Sequence, residues 1–221
     1  IRKLIAPIKK TVVAGSYGLK LSNKTNFNVE FALSDYDKNL FSKLDDNHNE
    51  GFAIKTSITQ AFHKSDSSKR LFFMKPYFQV ITKYFQAPER FKPVEFSRDW
   101  NYKPTIQNRE WMGGIENRFT YKKILSTNFG GDWMQSEGSF TGTKEFASFS
   151  YSPKTWLISQ NFSYLSTVQT NIKTSFFRYQ SKNEKYLGKI KAGVSAEAEK
   201  NIWKAKTNDS LLLSSFSFYK W

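Results

Sequence analysis

Hydrophobic and polar residues alternate with a period of two along most of the chain. Between positions 27 and 33 the odd positions hold Phe27, Val29, Phe31 and Leu33, with polar or small residues between them. The same alternation returns over residues 52–62, 72–84, 156–164 and 186–197. A β-strand with one apolar and one polar face requires this spacing, because successive side chains point to opposite sides. Helical spacing is never sustained over comparable lengths, so we predict an all-β fold.

The alternation places about 11 strands along the chain. We predict them at residues 11–21, 25–35, 51–62, 71–86, 109–121, 124–134, 144–152, 155–165, 171–180, 185–199 and 209–221. Most are ten residues or longer, whereas strands of soluble proteins cluster near five or six. A strand tilted across a bilayer needs about 9–11 residues. The lengths therefore favour an antiparallel, up-and-down transmembrane β-barrel over a soluble sandwich.

The connections between predicted strands alternate between short and long. The turn at 22–24 is tight and the stretch 36–50 is long, and this contrast returns between 63–70 and 87–108. Tight links at 122–123 and 152–154 flank a longer one at 135–143, and the later links follow the rule loosely. Outer-membrane barrels combine short periplasmic turns with longer outer loops in this way. A soluble meander with irregular loops is the alternative.

The odd number of strands bears on how such a barrel closes. The first predicted strand and the strand at 209–221 run in the same direction, and parallel end strands cannot close an antiparallel barrel. We therefore predict that residues 11–221 are strands and loops of the C-terminal part of a larger barrel. Residues 1–10 are predicted to be a lead-in segment or the end of an upstream strand.

The composition excludes several classes of protein. The 221 residues include 21 Phe, 11 Tyr and 6 Trp, which is too much apolar surface for a disordered chain. Cysteine is absent, which excludes disulfide scaffolds, cysteine-zinc sites and thiol catalysis. The apolar runs are too short for a transmembrane helix. Residues 1–7 lack the apolar stretch of a signal peptide, so we expect that a signal was removed or that the chain is part of a longer protein.

Basic residues are in large excess, with 34 Lys and Arg against 19 Asp and Glu and a net charge of +15 at pH 7. They are scattered and no nucleic-acid-binding signature accompanies them, so we do not expect nucleic acid as a partner. Several share the polar face of predicted strands and would line the lumen of a barrel: Lys20, Lys55, Lys75, Lys83, Arg118, Lys189 and Lys191. Such a basic lumen would favour anionic solutes. The alternative is that these residues are merely solvated in a polar interior or covered by a protein plug.

Several aromatic residues lie near the ends of predicted strands. In a transmembrane barrel, rings at these positions form girdles at the two membrane surfaces. The candidates are Tyr36, Tyr84, Trp111, Tyr121, Trp133, Tyr151, Trp156 and Tyr186. The alternative is ordinary packing in the core of a soluble sheet.

The last residues of the chain end on an aromatic side chain with apolar partners at alternate positions. The positions that fit are Leu211, Leu213, Tyr219 and Trp221, whereas Ser215 and Ser217 depart from the pattern. In this ending, and in its strand pattern, the sequence resembles the bacterial outer-membrane β-barrel class, whose last strand carries a signal read by the barrel-assembly machinery. The link from Glu89 to Asn101 is similar to segments of large, poorly characterised barrels of this class. No named transporter or secretion family is assigned.

The resemblance implies a protein of the bacterial outer membrane, with membrane lipid as its surroundings and the assembly machinery as a partner during biogenesis. Transport through the lumen and a scaffold role in an envelope complex, with other envelope proteins as partners, are the two functional expectations. The alternative outside the membrane is a secreted soluble all-β binding module, such as an adhesin or a glycan binder.

Catalysis, cofactors and metals find little support in the sequence. The two histidines, His48 and His63, lie in separate predicted connections, and no Gly-x-Ser-x-Gly motif occurs. The acidic stretch 45–51 resembles a calcium loop in composition, but Glu50 and Thr56 occupy the positions that require Gly and Glu. We therefore expect no enzymatic activity, no cofactor and no metal site.

Overall fold

The computed structural model describes residues 6–44, 46–62, 70–89, 91–104, 107–122 and 124–221. Its strands are β1 (Lys9–Lys20), β2 (Thr25–Asp37), β3 (Glu50–Ala61), β4 (Arg70–Ile81), β5 (Glu110–Tyr121), β6 (Leu125–Ser136), β7 (Phe140–Tyr151), β8 (Trp156–Gln169), β9 (Ile172–Leu187), β10 (Ile190–Ala205) and β11 (Phe216–Lys220). They form one antiparallel sheet in which each strand pairs with the next along the chain. The all-β, up-and-down prediction is confirmed.

The sheet is not closed, and β1 and β11 stand at its two edges. Ten of the strands have 12 to 16 residues, and β11 has 5. The helical elements of the described chain are a short turn at Asp46–His48 and the helix α1 (Phe96–Asp99). No helix in the described ranges is long and apolar enough to cross a membrane.

The pairing register assigns the strand residues to two faces of the sheet. Residues directly opposite each other on neighbouring strands point to the same side, and one such row runs through Ile81, Glu110, Ser136 and Phe140. The described residues of the link between β4 and β5, which are 82–89, 91–104 and 107–109, lie on this side. We call this link the covering segment. We call the side it lies on the covered face, and the opposite side the open face.

Large exposed apolar side chains are concentrated on the open face. From β1 to β8 they include Tyr17, Phe31, Phe52, Phe78, Ile115, Phe129, Phe149 and Phe162. Asn117 on β5, Glu145 on β7 and Gln160 on β8 are polar exceptions, and Ser181 on β9 and Lys200 on β10 make the far end of this face more polar. The open face is therefore mainly apolar from β1 to β8 and mixed beyond it.

Two predicted boundaries are wrong because glycines at positive φ form tighter turns than the composition suggests. Gly188 (φ 65°) closes a hairpin in which β9 runs on to Leu187, so the link predicted near residues 181–184 is strand. Tyr186 consequently pairs with Lys191 on the covered face and does not share the face of Ile190. Gly138 (φ 67°) likewise shortens the predicted link 135–143 to residues 137–139.

The predicted strand 209–221 is wrong in its first half. Asp209 adopts a positive φ of 55°, and the Ser215 hydroxyl accepts a 2.9 Å hydrogen bond from the backbone N–H of Trp203. This side chain takes the place of a backbone partner, so regular pairing begins only at Phe216. Leu211 forms a single bridge to Lys204.

The long connections all lie at one end of the sheet. They are residues 38–49, the covering segment and residues 206–215. The opposite end, which we call the short-link end, holds the turns 21–24, 122–124, 152–155 and 188–189, together with the β3–β4 link, whose residues 63–69 lie outside the described residues. Short and long links do not alternate strictly after β6, because the β6–β7 and β8–β9 links at the long-link end are also short. All the long links nevertheless lie at that one end. β1 begins at Lys9, and residues 1–5 of the predicted lead-in also lie outside the described residues.

Candidate functional site on the covered face

The covering segment leaves the sheet through a close contact with β2 and β3. The backbone N–H of Gln86 donates to the hydroxyl of buried Ser34 at 2.9 Å, and Thr82 bonds to the backbone of Phe52. Gly51 lies directly below this turn, where an added Cβ would lie 2.1 Å from the backbone nitrogen of Phe85. The predicted strand 71–86 therefore ends early, at Ile81, and the chain folds over the sheet.

A test of this contact is the substitution Gly51→Ala. We expect it to destabilise the folded protein by about 1–3 kcal/mol, because the backbone at Phe85 must move to admit the methyl group. Gly113→Ala is the control, since its added Cβ meets its nearest atoms at an ordinary 3.4 Å. Urea unfolding of the purified protein measures both, and equal midpoints for the two variants would contradict the close approach.

An apolar anchor fixes the far end of the covering segment. Trp100 is 2% exposed and packs with Tyr102 against side chains from four strands of the covered face. These are Met134, Phe140, Leu165 and Phe176. The Tyr102 and Phe140 rings lie 4.6 Å apart. This cluster is the main apolar core among the described residues, and it is built on the segment rather than between two sheets.

A buried polar network holds Asn101 between the two aromatic anchors. Its side-chain amide bonds to Thr174 Oγ1 at 2.9 Å and exchanges two hydrogen bonds with the amide of Asn201. Gln169 donates to the Asn101 carbonyl at 2.8 Å. Asn101 has a φ of 47°, a left-handed conformation that asparagine tolerates better than most residues. Because every partner is satisfied, the network fixes one position of the segment on β8, β9 and β10.

Ionic and hydroxyl contacts complete the attachment. Asp99 and Arg178 on β9 form a 2.8 Å ion pair, and Lys92 pairs with Glu110 at the start of β5. The Tyr102 hydroxyl lies 3.0 Å from Ser136 Oγ and 3.2 Å from Glu110 Oε1. Burial raises the pKa of the Tyr102 hydroxyl to about 12, so it is a neutral hydrogen-bond donor at physiological pH.

Opposite charges face each other across the strands of the covered face. The facing pairs are Glu30 with Lys55, Lys75 with Glu116, Asp132 with Lys144, and Arg178 with Glu199. Pairs of opposite charge across neighbouring strands are mildly stabilising. Much of the positive charge expected on this face is therefore balanced by acidic neighbours.

The seven predicted basic residues are not all in strands. Five lie on the covered face: Lys20, Lys55, Lys75, Arg118 and Lys191. Lys83 lies in the turn after β4 and Lys189 in the β9–β10 turn. Lys191 forms a 2.8 Å ion pair with Glu184.

The predicted girdle residues fall into two groups. Trp111, Tyr121, Trp133, Tyr151 and Trp156 lie near strand ends on the open face. Trp111 and Trp133 are at the long-link end, and the other three are at the short-link end. Outside this group, Tyr36 shares the covered face with Lys10, Tyr84 lies in a turn beside His48, and Tyr186 lies on the covered face.

The predicted assembly-signal residues do not share one strand. Leu211 and Leu213 precede β11 and are exposed, Tyr219 lies on the open face, and Trp221 follows the strand. Phe216 and Phe218 lie on the covered face, where Phe216 stacks edge-on to Phe176 at 6.0 Å. β11 therefore touches the apolar cluster only through Phe216, and both phenylalanines remain exposed at this edge of the sheet.

Sequence reasoning missed that residues 91–104 form the centre of this site. The signal was present: Phe91, Phe96 and Trp100 are bulky apolar residues within a charged link, and such residues seek burial. Among the described residues, no group of three or more His, Asp or Glu side chains could hold a metal ion. Compared with known families, the chain matches no family model, and no curated protein matches its sequence.

Proposed function

We propose that this chain forms part of the wall of a bacterial outer-membrane β-barrel, with its open face toward lipid. The apolar area of the open face supports this proposal most directly. Eight strands spaced about 4.8 Å apart, with an apolar band about 25 Å tall, amount to roughly 1,000 Å². The largest apolar patch on a soluble monomer is typically about 300–600 Å². Apolar surfaces larger than this usually contact a membrane or another protein, and this one supports contact with lipid.

The height of the band agrees with a bilayer. Trp111 and Tyr121 lie on the open face at opposite ends of β5. The strand between them extends about 33 Å, which a tilt of about 40° reduces to about 25 Å along the membrane normal. This is the usual distance between the aromatic girdles of transmembrane barrels. The two ends of the sheet would then lie at the two membrane surfaces.

The exposed area of the chain supports the same proposal. Its accessible surface is 15256 Å², whereas a soluble monomer of 25.8 kDa exposes about 10,500 Å². The edge strands β1 and β11 also leave backbone N–H and C=O groups unpaired. Unpaired backbone groups are not tolerated in lipid, so these edges need further strands as partners. We propose that further strands close the sheet into a larger barrel.

Of the two roles, the covering segment favours a scaffold in the cell envelope over a permanently open pore. Trp100, Asn101 and Asp99 tie the segment across strands β6 to β10, where a lumen would otherwise be. A recess of about 410 Å³ remains beside it, lined by apolar side chains such as Phe96 and Met112 together with Lys55 and Lys144. Transport of anionic solutes remains a prediction for a state in which the segment is released, and the balanced charges described above would weaken its selectivity.

The simplest test of the membrane assignment is the solvent that the protein requires. We expect a monodisperse preparation only in detergent, because the apolar band has no protein cover. Size-exclusion chromatography with and without detergent measures this. A stable monomer in plain buffer would favour the secreted all-β binding module instead.

A further inference from the structure

The short-link end of the sheet carries basic residues at every hairpin connection. Its rim is formed by Lys20, Lys24, Arg70, Lys122, Lys154, Lys185 and Lys189, and all of these side chains are exposed. Among the described residues of this rim the one acidic side chain is Glu184, which is already bound by Lys182 and Lys191. We call this set of seven residues the basic rim.

The long-link end of the sheet is different. Its two tight turns, 137–139 and 170–171, contain no basic residue. Its lysines and arginines are mixed with acidic residues, and some of them form ion pairs, such as Lys204 with Asp209 at 2.6 Å and Lys92 with Glu110. The basic rim is therefore a property of one end of the sheet and not of strand ends in general.

Several rim cations lie directly over aromatic rings near the edge of the open face. The Arg70 guanidinium and the Lys122 ammonium group lie 5.8 Å and 5.3 Å from the centre of the Tyr121 ring. Lys185 Nζ lies 4.8 Å from the centre of the Trp156 ring. Aromatic rings at such positions mark the level of lipid headgroups, and long basic side chains next to them extend toward the phosphates.

We propose that the basic rim binds the phosphate groups of anionic lipids in the leaflet that it faces. A basic residue occurs at each of the turns β1–β2, β5–β6, β7–β8 and β9–β10. Because these charges are spread evenly along the end of the sheet, they fit a continuous layer of lipid headgroups better than a single docked protein. Exposed lysines close to a membrane surface are attracted to its negative charge within a Debye length. This inference rests on the proposed membrane location and adds which lipids the protein selects.

The test uses the full-length protein reconstituted in vesicles of equal parts phosphatidylcholine and phosphatidylglycerol. Spin-labelled forms of both lipids report how strongly each associates with the protein. We expect a preference for phosphatidylglycerol of about fivefold, the factor for one lysine close to an anionic surface. The preference should fade at about 1 M salt, where the Debye length is about 3 Å.

The rim variant replaces Lys24, Lys122, Lys154 and Lys189 with Gln, and we expect it to lose the preference. The control removes the same charge from the long-link end, at Lys38, Lys43, Lys173 and Lys206, and should keep it. If wild-type protein inserts into the vesicles but shows no preference for phosphatidylglycerol, or if the rim variant keeps that preference, the inference is wrong. The proposed membrane location would be unaffected by either result. Protein that remains outside the vesicles would overturn the membrane assignment, and the inference with it.

Discussion

A lysine at Ala147 is expected to lower the free energy of unfolding in a bilayer by about 2–4 kcal/mol. Ala147 lies on the open face of β7, between Phe129 and Phe162 on the neighbouring strands. Tyr151, on the same face, is about 13 Å further along the strand, which places Ala147 near the middle of the apolar band. An ammonium group there would lose most of its hydration, and an ion pair with Glu145, two residues away on the same face, would offset only part of that cost.

The neighbouring residue provides a matched control. Ser148 is of similar size but lies on the covered face, opposite Asn128 and Asn161. Ser148→Lys should change stability little, because its ammonium group would enter polar surroundings. Urea titration of full-length protein refolded into phosphatidylcholine vesicles measures both variants. Equal losses for the two would contradict a lipid contact on one side only, and Val29→Lys with Asn28→Lys on β2 repeats the comparison.

The second large effect concerns the covering segment. We expect full-length wild-type protein to be electrically silent in planar bilayers and a variant with residues 91–104 replaced by a short Gly-Ser linker to conduct ions. The physical reason is that Trp100 and its neighbours fill the space beside β6 to β10. A variant with Asp99→Ala and Asn101→Ala should open intermittently, since the ionic and amide contacts are lost while Trp100 still packs.

A variant with a shortened β2–β3 link, at residues 39–48, controls for the length change. Phe41 and Leu44 in that link are exposed, so its shortening should not open the interior. Wild-type protein that conducts as well as the deletion variant would show that the segment does not close the interior. Reversal potentials of the opened variant would also test the expected anion preference.

Period-two alternation predicted the strands because it follows from local geometry. Ala147 and Ser148 illustrate this, since each position matches the environment of its face. Turn positions were less predictable where polar strand residues resembled a loop. The polar composition of residues 181–184 predicts a connection, but Lys182 and Glu184 lie within β9 on the covered face, next to other charged side chains.

The contacts of the covering segment could not be predicted from the sequence. Asn101 meets Thr174 and Asn201, and nothing in the local pattern near residue 101 indicates those partners. The sequence marked residues 89–101 only through resemblance to other barrels. The acidic neighbours of the basic residues on the covered face could not be predicted either. Lys55 lies opposite Glu30, but this pairing follows only from the register between β2 and β3.

The attachment of the covering segment also implies an order of assembly. Strand pairing joins neighbours in the sequence, whereas Asn101 reaches residues 73 and 100 positions away. Closing so long a loop costs more entropy than forming a hairpin, so local strand pairs form first. The site for Asn101 exists only after β8, β9 and β10 have paired. In the proposed barrel, the space beside β6 to β10 would therefore stay filled with water until Trp100 docks, which makes docking the last step of assembly.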